Sequence, residues 1–272
     1  MNTFLSMELF SDRAQGQKAA LEQIQALADF EGGLFQPVKC DVGEPLREKF
    51  DPNDLKEPVR WLDQPSGRFS FKRLKPFRVE GYISDRRYPK MWTQNYEGGP
   101  RVLVVPKFPE PRFTTHWVVW LDEKLLESKG PDLLKKFLIE MFMVSKSEYG
   151  FLTAEEDYKS KNFLVLDNGK TVTSKFVGTD PEWGIPGLYW CNVFGSVYTE
   201  WLNPKLANIP AKRESLSNGS TLVQFGESPA TCKTSEIINL QQRAMNILGR
   251  NKFFDLRYPE RKVETPFHPI LQ

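Results

Sequence analysis

Apolar and polar positions alternate over residues 4–10 and then switch to helical spacing over 15–30, where Ala20, Ile24, Leu27 and Ala28 share one face. Glu31-Gly32-Gly33 stops that helix, and 34–40 resumes as an extended segment in which Pro37 favours an edge position. The pattern predicts a strand-helix-strand unit. Residues 41–64, with Pro45, Pro52 and Pro58 among many charges, read as a surface excursion holding a turn or two of helix. Phe69, Phe71, Phe77, Val79 and Tyr82 predict strands over 67–84, broken at Pro76. A turn at Gly98-Gly99-Pro100, a short strand at 102–105 and a stiff linker carrying Pro106, Pro109 and Pro111 follow.

The same grammar then returns about 115 residues later with little literal identity. Residues 113–121 predict a strand. Residues 131–145 predict a helix opened by Pro131, with Leu134, Phe137, Leu138, Met141 and Phe142 inward, and 149–154 predict a strand. A hairpin is expected from 161–166 and 171–177 around Asp167-Asn168-Gly169-Lys170. A third unit runs from a strand at 222–225 through a helix at 235–248, capped by Gly249, to a last strand at 252–256. This alternation predicts an α+β fold, with mixed or antiparallel sheets, helices packed mainly on one face and repeated strand-helix-strand units, for which ferredoxin-like halves are a natural form. One domain over 1–272 is expected, with related subregions 1–111 and 112–272.

The densest apolar stretch is 186–203, PGLYWCNVFGSVYTEWLN, bounded by Pro186 and Pro204. Tyr189, Val193, Val197 and Trp201 are spaced by four, which fits a helix interrupted or bent at Gly195. Aromatic side chains bury about 150 to 250 Å² each, so the stretch belongs in a core or against another protein.

Composition narrows the function classes. The 20 Phe, 7 Trp and 8 Tyr beside 35 acidic and 37 basic residues are a globular balance, and a net charge of +2 implies no nucleic-acid partner from bulk electrostatics. No run approaches the length of a membrane span, and the first residues, MNTFLSMELFSDR, lack the parts of a signal peptide. Cys40, Cys191 and Cys232 are odd in number and far apart, which fits a reducing compartment. His116 falls in a strand pattern and reads as a strand side chain, while His268 lies in a proline-rich tail. The spacings hold no metal-ligand pattern, phosphate loop or dinucleotide fingerprint, so no metal and no cofactor is expected.

Residues 68–90 form the strongest charged feature: eight cations against Glu80 and Asp85 give a local balance of +6, interleaved with five aromatics. Such a run can stack bases and neutralise phosphates, or form the wet face of a sheet, or hold a protein partner through arginine and aromatic anchors.

The central stretch resembles a segment of immunity proteins from bacterial polymorphic-toxin systems, including those encoded beside type VI secretion effectors. The matching residues are Gly187, Tyr189, Trp190, Asn192, Phe194, Gly195 and Tyr198, and GSTLVQFGESPATC at 219–232 with the following helix is similar too. The resemblance covers the C-terminal half and only the strand-helix-strand order of the N-terminal half, where the proline-rich insertion at 45–65 departs from it. It implies a cytoplasmic bacterial antitoxin with no catalytic task, no membrane and no nucleic acid, whose partner is a cognate toxin or secreted effector, a nuclease being the commonest kind. Inhibition would be occlusion, with Asp41, Glu44, Glu155, Glu156 and Asp157 able to mimic phosphate and Arg86 and Arg87 as further contact candidates. The motif residues themselves read as structural, and oligomeric state is left open. Two rivals stand beside this reading: an enzyme acting on a small molecule through scattered polar residues, and a nucleic-acid-binding protein using the 68–90 surface.

Overall fold

The computed structural model describes residues 4–12, 16–64, 67–85, 113–167, 172–181, 184–259 and 261–267. In chain order its strands are β1 (Phe4–Ser11), β2 (Lys39–Asp41), β3 (Glu48–Lys49), β4 (Arg68–Arg73), β5 (Val79–Asp85), β6 (Thr115–Asp122), β7 (Tyr149–Ala154), β8 (Phe163–Asp167), β9 (Val172–Phe176), β10 (Cys191–Phe194), β11 (Lys212–Ser215) and β12 (Thr221–Gln224). The helices are α1 (Gln17–Gly33), α2 (Lys56–Asp63), α3 (Lys124–Lys129), α4 (Pro131–Ser145), α5 (Glu155–Asn162), α6 (Ser196–Leu202) and α7 (Ser235–Leu248). The fold is α+β. Ten strands form one antiparallel sheet in the order β11-β12-β10-β7-β1-β6-β5-β4-β2-β3, and β8 and β9 form a separate hairpin.

Local signals explain most boundaries. Helix α1 breaks at Phe30, and Glu31, Gly32 and Gly33 all take positive φ, as the expected stop requires. Helix α4 opens on Pro131, and α7 opens on Thr234, whose hydroxyl accepts from the Ile237 amide. Strand β1 lies between β6 and β7, so the second strand-helix-strand unit steps over one strand. The first unit reaches from β1 over β6, β5 and β4 to β2. The grammar repeats, but the spans differ.

Each sheet face has its own core. Leu5, Met7 and Leu9 of β1, Trp117, Val119 and Leu121 of β6, and Val193 of β10 pack under α1, α2, α3 and α4. Gln23 of α1 accepts a 2.6 Å bond from the Trp117 indole, which satisfies the one polar atom of that ring. On the other face, Tyr149, Phe151, Phe194 and Val223 pack under α5, α6 and α7. This second core lies under the β7-β10-β12 end of the sheet and reaches Phe10 at the end of β1.

Two expectations need correction, and two elements carry no stated expectation. The central stretch is not a bent helix: β10 ends at Phe194, Gly195 turns the chain, and α6 begins at Ser196. The spacing by four misleads because Val193 points into one core and Tyr189 into the other. Residues 252–256 form no strand; a 3-10 turn at Arg250–Lys252 and a single bridge from Phe253 to Ile185 replace it. The acidic run at 155–157 opens helix α5, where carboxylates favour the positive end of the helix dipole. Strand β11, exposed along its whole length, has no apolar pattern by which to be found. The expected turn at 98–100, the strand at 102–105, the linker prolines, the tip of the hairpin at 168–170, Arg86, Arg87 and His268 lie outside the described residues.

Candidate partner-binding face

Among the described residues, the second face of β6, β5 and β4 belongs to neither core. Register places its side chains in cross-strand rows. One row runs Ser6, Trp120, Glu80, Lys72, Lys39, Lys49. The next runs Glu8, Val118, Tyr82, Ser70, Asp41, and the third Phe10, His116, Ser84, Arg68. Trp120, Tyr82, His116, Arg68, Lys72 and Arg78 are all partly exposed.

Charges on this face are held in place by neighbours. The Arg68 guanidinium lies 3.8 Å over the Tyr82 ring. Glu80 accepts from Arg78 at 2.6 Å and pairs with Lys72 at 3.0 Å. Toward the sheet edge, Lys72, Lys39 and Lys49 stand directly opposite one another on β4, β2 and β3. Like charges so placed repel, and edge lysines also discourage unwanted strand pairing.

At the inner border of the face, α5 forms a wall. The Tyr158 phenol hydrogen-bonds to the Glu8 carboxylate, and burial together with that carboxylate pushes the phenol far above its ordinary range. Glu8 Oε2 also lies 3.1 Å from His116 Nε2, and His116 stacks on Phe10 with ring centroids 4.4 Å apart. Sequence reasoning passed over Glu8 and Trp120. The available signal was Ser6 and Glu8 alternating with Leu5, Met7 and Leu9, which marks a strand with one face outside the apolar core.

The acidic candidates scatter. Asp41 caps the loop after β2, accepting from the amides of Val42 at 2.7 Å and Arg47 at 3.2 Å. Glu44 is exposed in that loop. Glu155 pairs with Lys159 at 2.7 Å, and Glu156 with Lys233. Asp157 turns inward: it is buried, accepts from Thr153 at 2.9 Å and pairs with Lys161 at 2.7 Å. Strands β7 and β2, which lead into these two acidic groups, are five positions apart in the sheet, about 24 Å at about 4.8 Å per strand. The basic run is equally dispersed. Phe69 and Phe71 face the first core, and Arg73 is tied to the carbonyls of Gly33, Gln36 and Lys75.

Every residue of the central motif is buried. Asn192 clamps Tyr189 by accepting from its amide at 3.0 Å and donating to its carbonyl at 2.9 Å. The Tyr189 hydroxyl reaches Asn162 at 2.5 Å, its ring stacks 4.1 Å from Phe151, and the Tyr198 hydroxyl donates to the Pro181 carbonyl at 2.8 Å. These bonds tie β10 and α6 to α5 and the loops around them.

No protein-family model matches the chain, and no curated protein matches it. Among solved structures, it is similar to Pseudomonas aeruginosa T6SS protein PA0821, at 12% identity and a TM-score of 0.46 over 90% of this chain and 73% of that one. Among the described residues, no helix is long and apolar enough to cross a membrane.

Proposed function

We propose that this chain is an immunity protein that binds a cognate bacterial toxin or secreted effector, a nuclease being the kind favoured, and neutralises it by occlusion in the cytoplasm of the producing cell. The observation that carries this reading is the aromatic and arginine-bearing face of β6, β5 and β4, which stands outside both cores. Trp, Tyr and Arg are the residues that most often anchor protein interfaces, and the Arg68–Tyr82 stack holds one such pair already oriented. The resemblance of the central segment to immunity proteins supports the same reading. Because that segment is buried, its role is to hold the framework, and recognition falls to the surface.

Size decides how far the contact must spread. The face of β6, β5 and β4 is three strands wide, about 14 Å, and about 20 to 25 Å long, giving roughly 300 Å² of flat area. A standard interface buries about 800 Å² per partner, so the toxin must also engage a flank. The flanks are the α5 rim with Glu155 and Glu156, and the loop carrying Asp41 and Glu44. Catalysis is assigned to the partner, and this chain acts by complementarity.

The test is coexpression of the adjacent gene product with and without this chain, followed by co-purification. The expected result is toxicity that this chain relieves, and a stable complex that Trp120→Ala with Arg68→Ala weakens without lowering the melting temperature. An adjacent product that is neither toxic nor bound sinks the reading.

A further inference from the structure

A cleft of about 450 Å³ lies between the end of α5, the segment before β10, α7 and the chain after α7. It is within the range of small-molecule sites. Met245, Phe254 and Leu256 supply its apolar wall, and Lys161, Arg250 and Arg257 bring the cations. The three cations differ in what is left to them.

Lys161 is already spent. Its three donors are taken by Asp157, the Leu188 carbonyl at 2.7 Å and Gln241 at 3.0 Å. Arg257 forks onto Asp255, with bonds of 2.9 and 2.7 Å that occupy the carboxylate. Among the described residues, the hydrogen-bond partners of Arg250 are neutral: Gln242 accepts from Nη2 at 2.6 Å, and the Met245 sulfur lies 3.6 Å from Nη1, while the Asp255 carboxylate is near enough to feel its charge. A guanidinium has five donors in a rigid fork suited to carboxylate, sulfonate or phosphate oxygens. Here that fork is oriented by an amide, beside an apolar wall, and the Asp255 carboxylate that feels its charge is already forked by Arg257.

The wall is itself built for shape. The Phe254 ring seats directly on Gly178, whose φ is +59°, and a Cβ there would fall 2.1 Å from the ring. Any other residue at 178 would push the ring out of place.

We propose that this cleft binds a small amphipathic monoanion, its acidic group on Arg250 and its apolar body against Met245, Phe254 and Leu256. The site is separate from the sheet face and does not depend on the partner-binding reading. The probes are 8-anilino-1-naphthalenesulfonate and its uncharged relative N-phenyl-1-naphthylamine, titrated into the folded protein with fluorescence detection. The expected result is one saturable sulfonate site, weakened about tenfold or more by Arg250→Gln, the size of one charge-assisted hydrogen bond. The uncharged dye should keep its affinity in that variant, and Leu256→Trp should remove both dyes by filling the cleft. Gln242→Leu, on the exposed side of α7, should weaken the sulfonate in the same direction by freeing the guanidinium. Absence of a saturable site, or sulfonate affinity unchanged in both Arg250→Gln and Gln242→Leu, overturns the proposal. So does equal loss of both dyes in Arg250→Gln.

Discussion

Cys40, Cys191 and Cys232 are all buried free thiols. Desolvation pushes Cys40 and Cys232 up to about 11, and Cys191 further still. Since the thiolate is the reactive form, the native protein at pH 8 should leave an aromatic disulfide reagent almost untouched, and the chain in urea should consume three equivalents. A second outcome concerns acid. The fork from Arg257 holds the Asp255 carboxyl down at about 2, below the ordinary value of about 3.9. A depressed carboxylate stabilises the fold above about pH 4, and that contribution is lost as the pH falls toward 2. Arg257 is largely exposed, so solvent screens most of that contribution. Arg257→Gln should therefore be slightly less stable to urea than the native chain at pH 6, and the difference should close as the pH falls through about 2.

Gly195 is where β10 becomes α6, and the change of direction needs the absence of a side chain. Its amide donates to the Glu148 carbonyl at 2.7 Å. A Cβ would lie 2.7 Å from the Glu148 Cα and 2.8 Å from its carbonyl oxygen, both backbone atoms that cannot swing away. Gly195→Ala should cost about 1 to 3 kcal/mol, the usual cost of overpacking, measured by urea unfolding. The stretch was legible as core from its aromatic density, yet not as strand plus helix. An apolar run that fills both faces erases the period by which the two are told apart. Where one face alone is apolar, as in α4 and α7, the expected spans of 131–145 and 235–248 agree with the structure.

The sheet binds the two halves of the sequence through an exchange at its centre, since β1 from the first half fills the gap between β6 and β7 of the second. Each fragment cut near residue 112 would lack a strand that its own sheet needs. Residues 1–111 and 112–272, expressed separately, should each show no cooperative thermal transition, and mixing them should restore one. Independent two-state melting of either fragment would show instead that the halves are separable domains. This face is likewise a property of the whole: Trp120, Glu80 and Lys72 become a row only when β6, β5 and β4 pair in this register.

Local sequence determined the elements whose apolar period is clean, the stops at Glu31-Gly32-Gly33, and the membership of the aromatic stretch in a core, because each depends on neighbours within one or two turns of chain. Tertiary structure alone decided strand order, the insertion of β1 between β6 and β7, and the inward turn of Asp157. It alone set Glu8 against His116 and the Lys161 ammonium against the Leu188 carbonyl. Those two meetings join residues 108 and 27 positions apart. No periodicity within a single segment encodes such a meeting; packing geometry and the satisfaction of buried charge do.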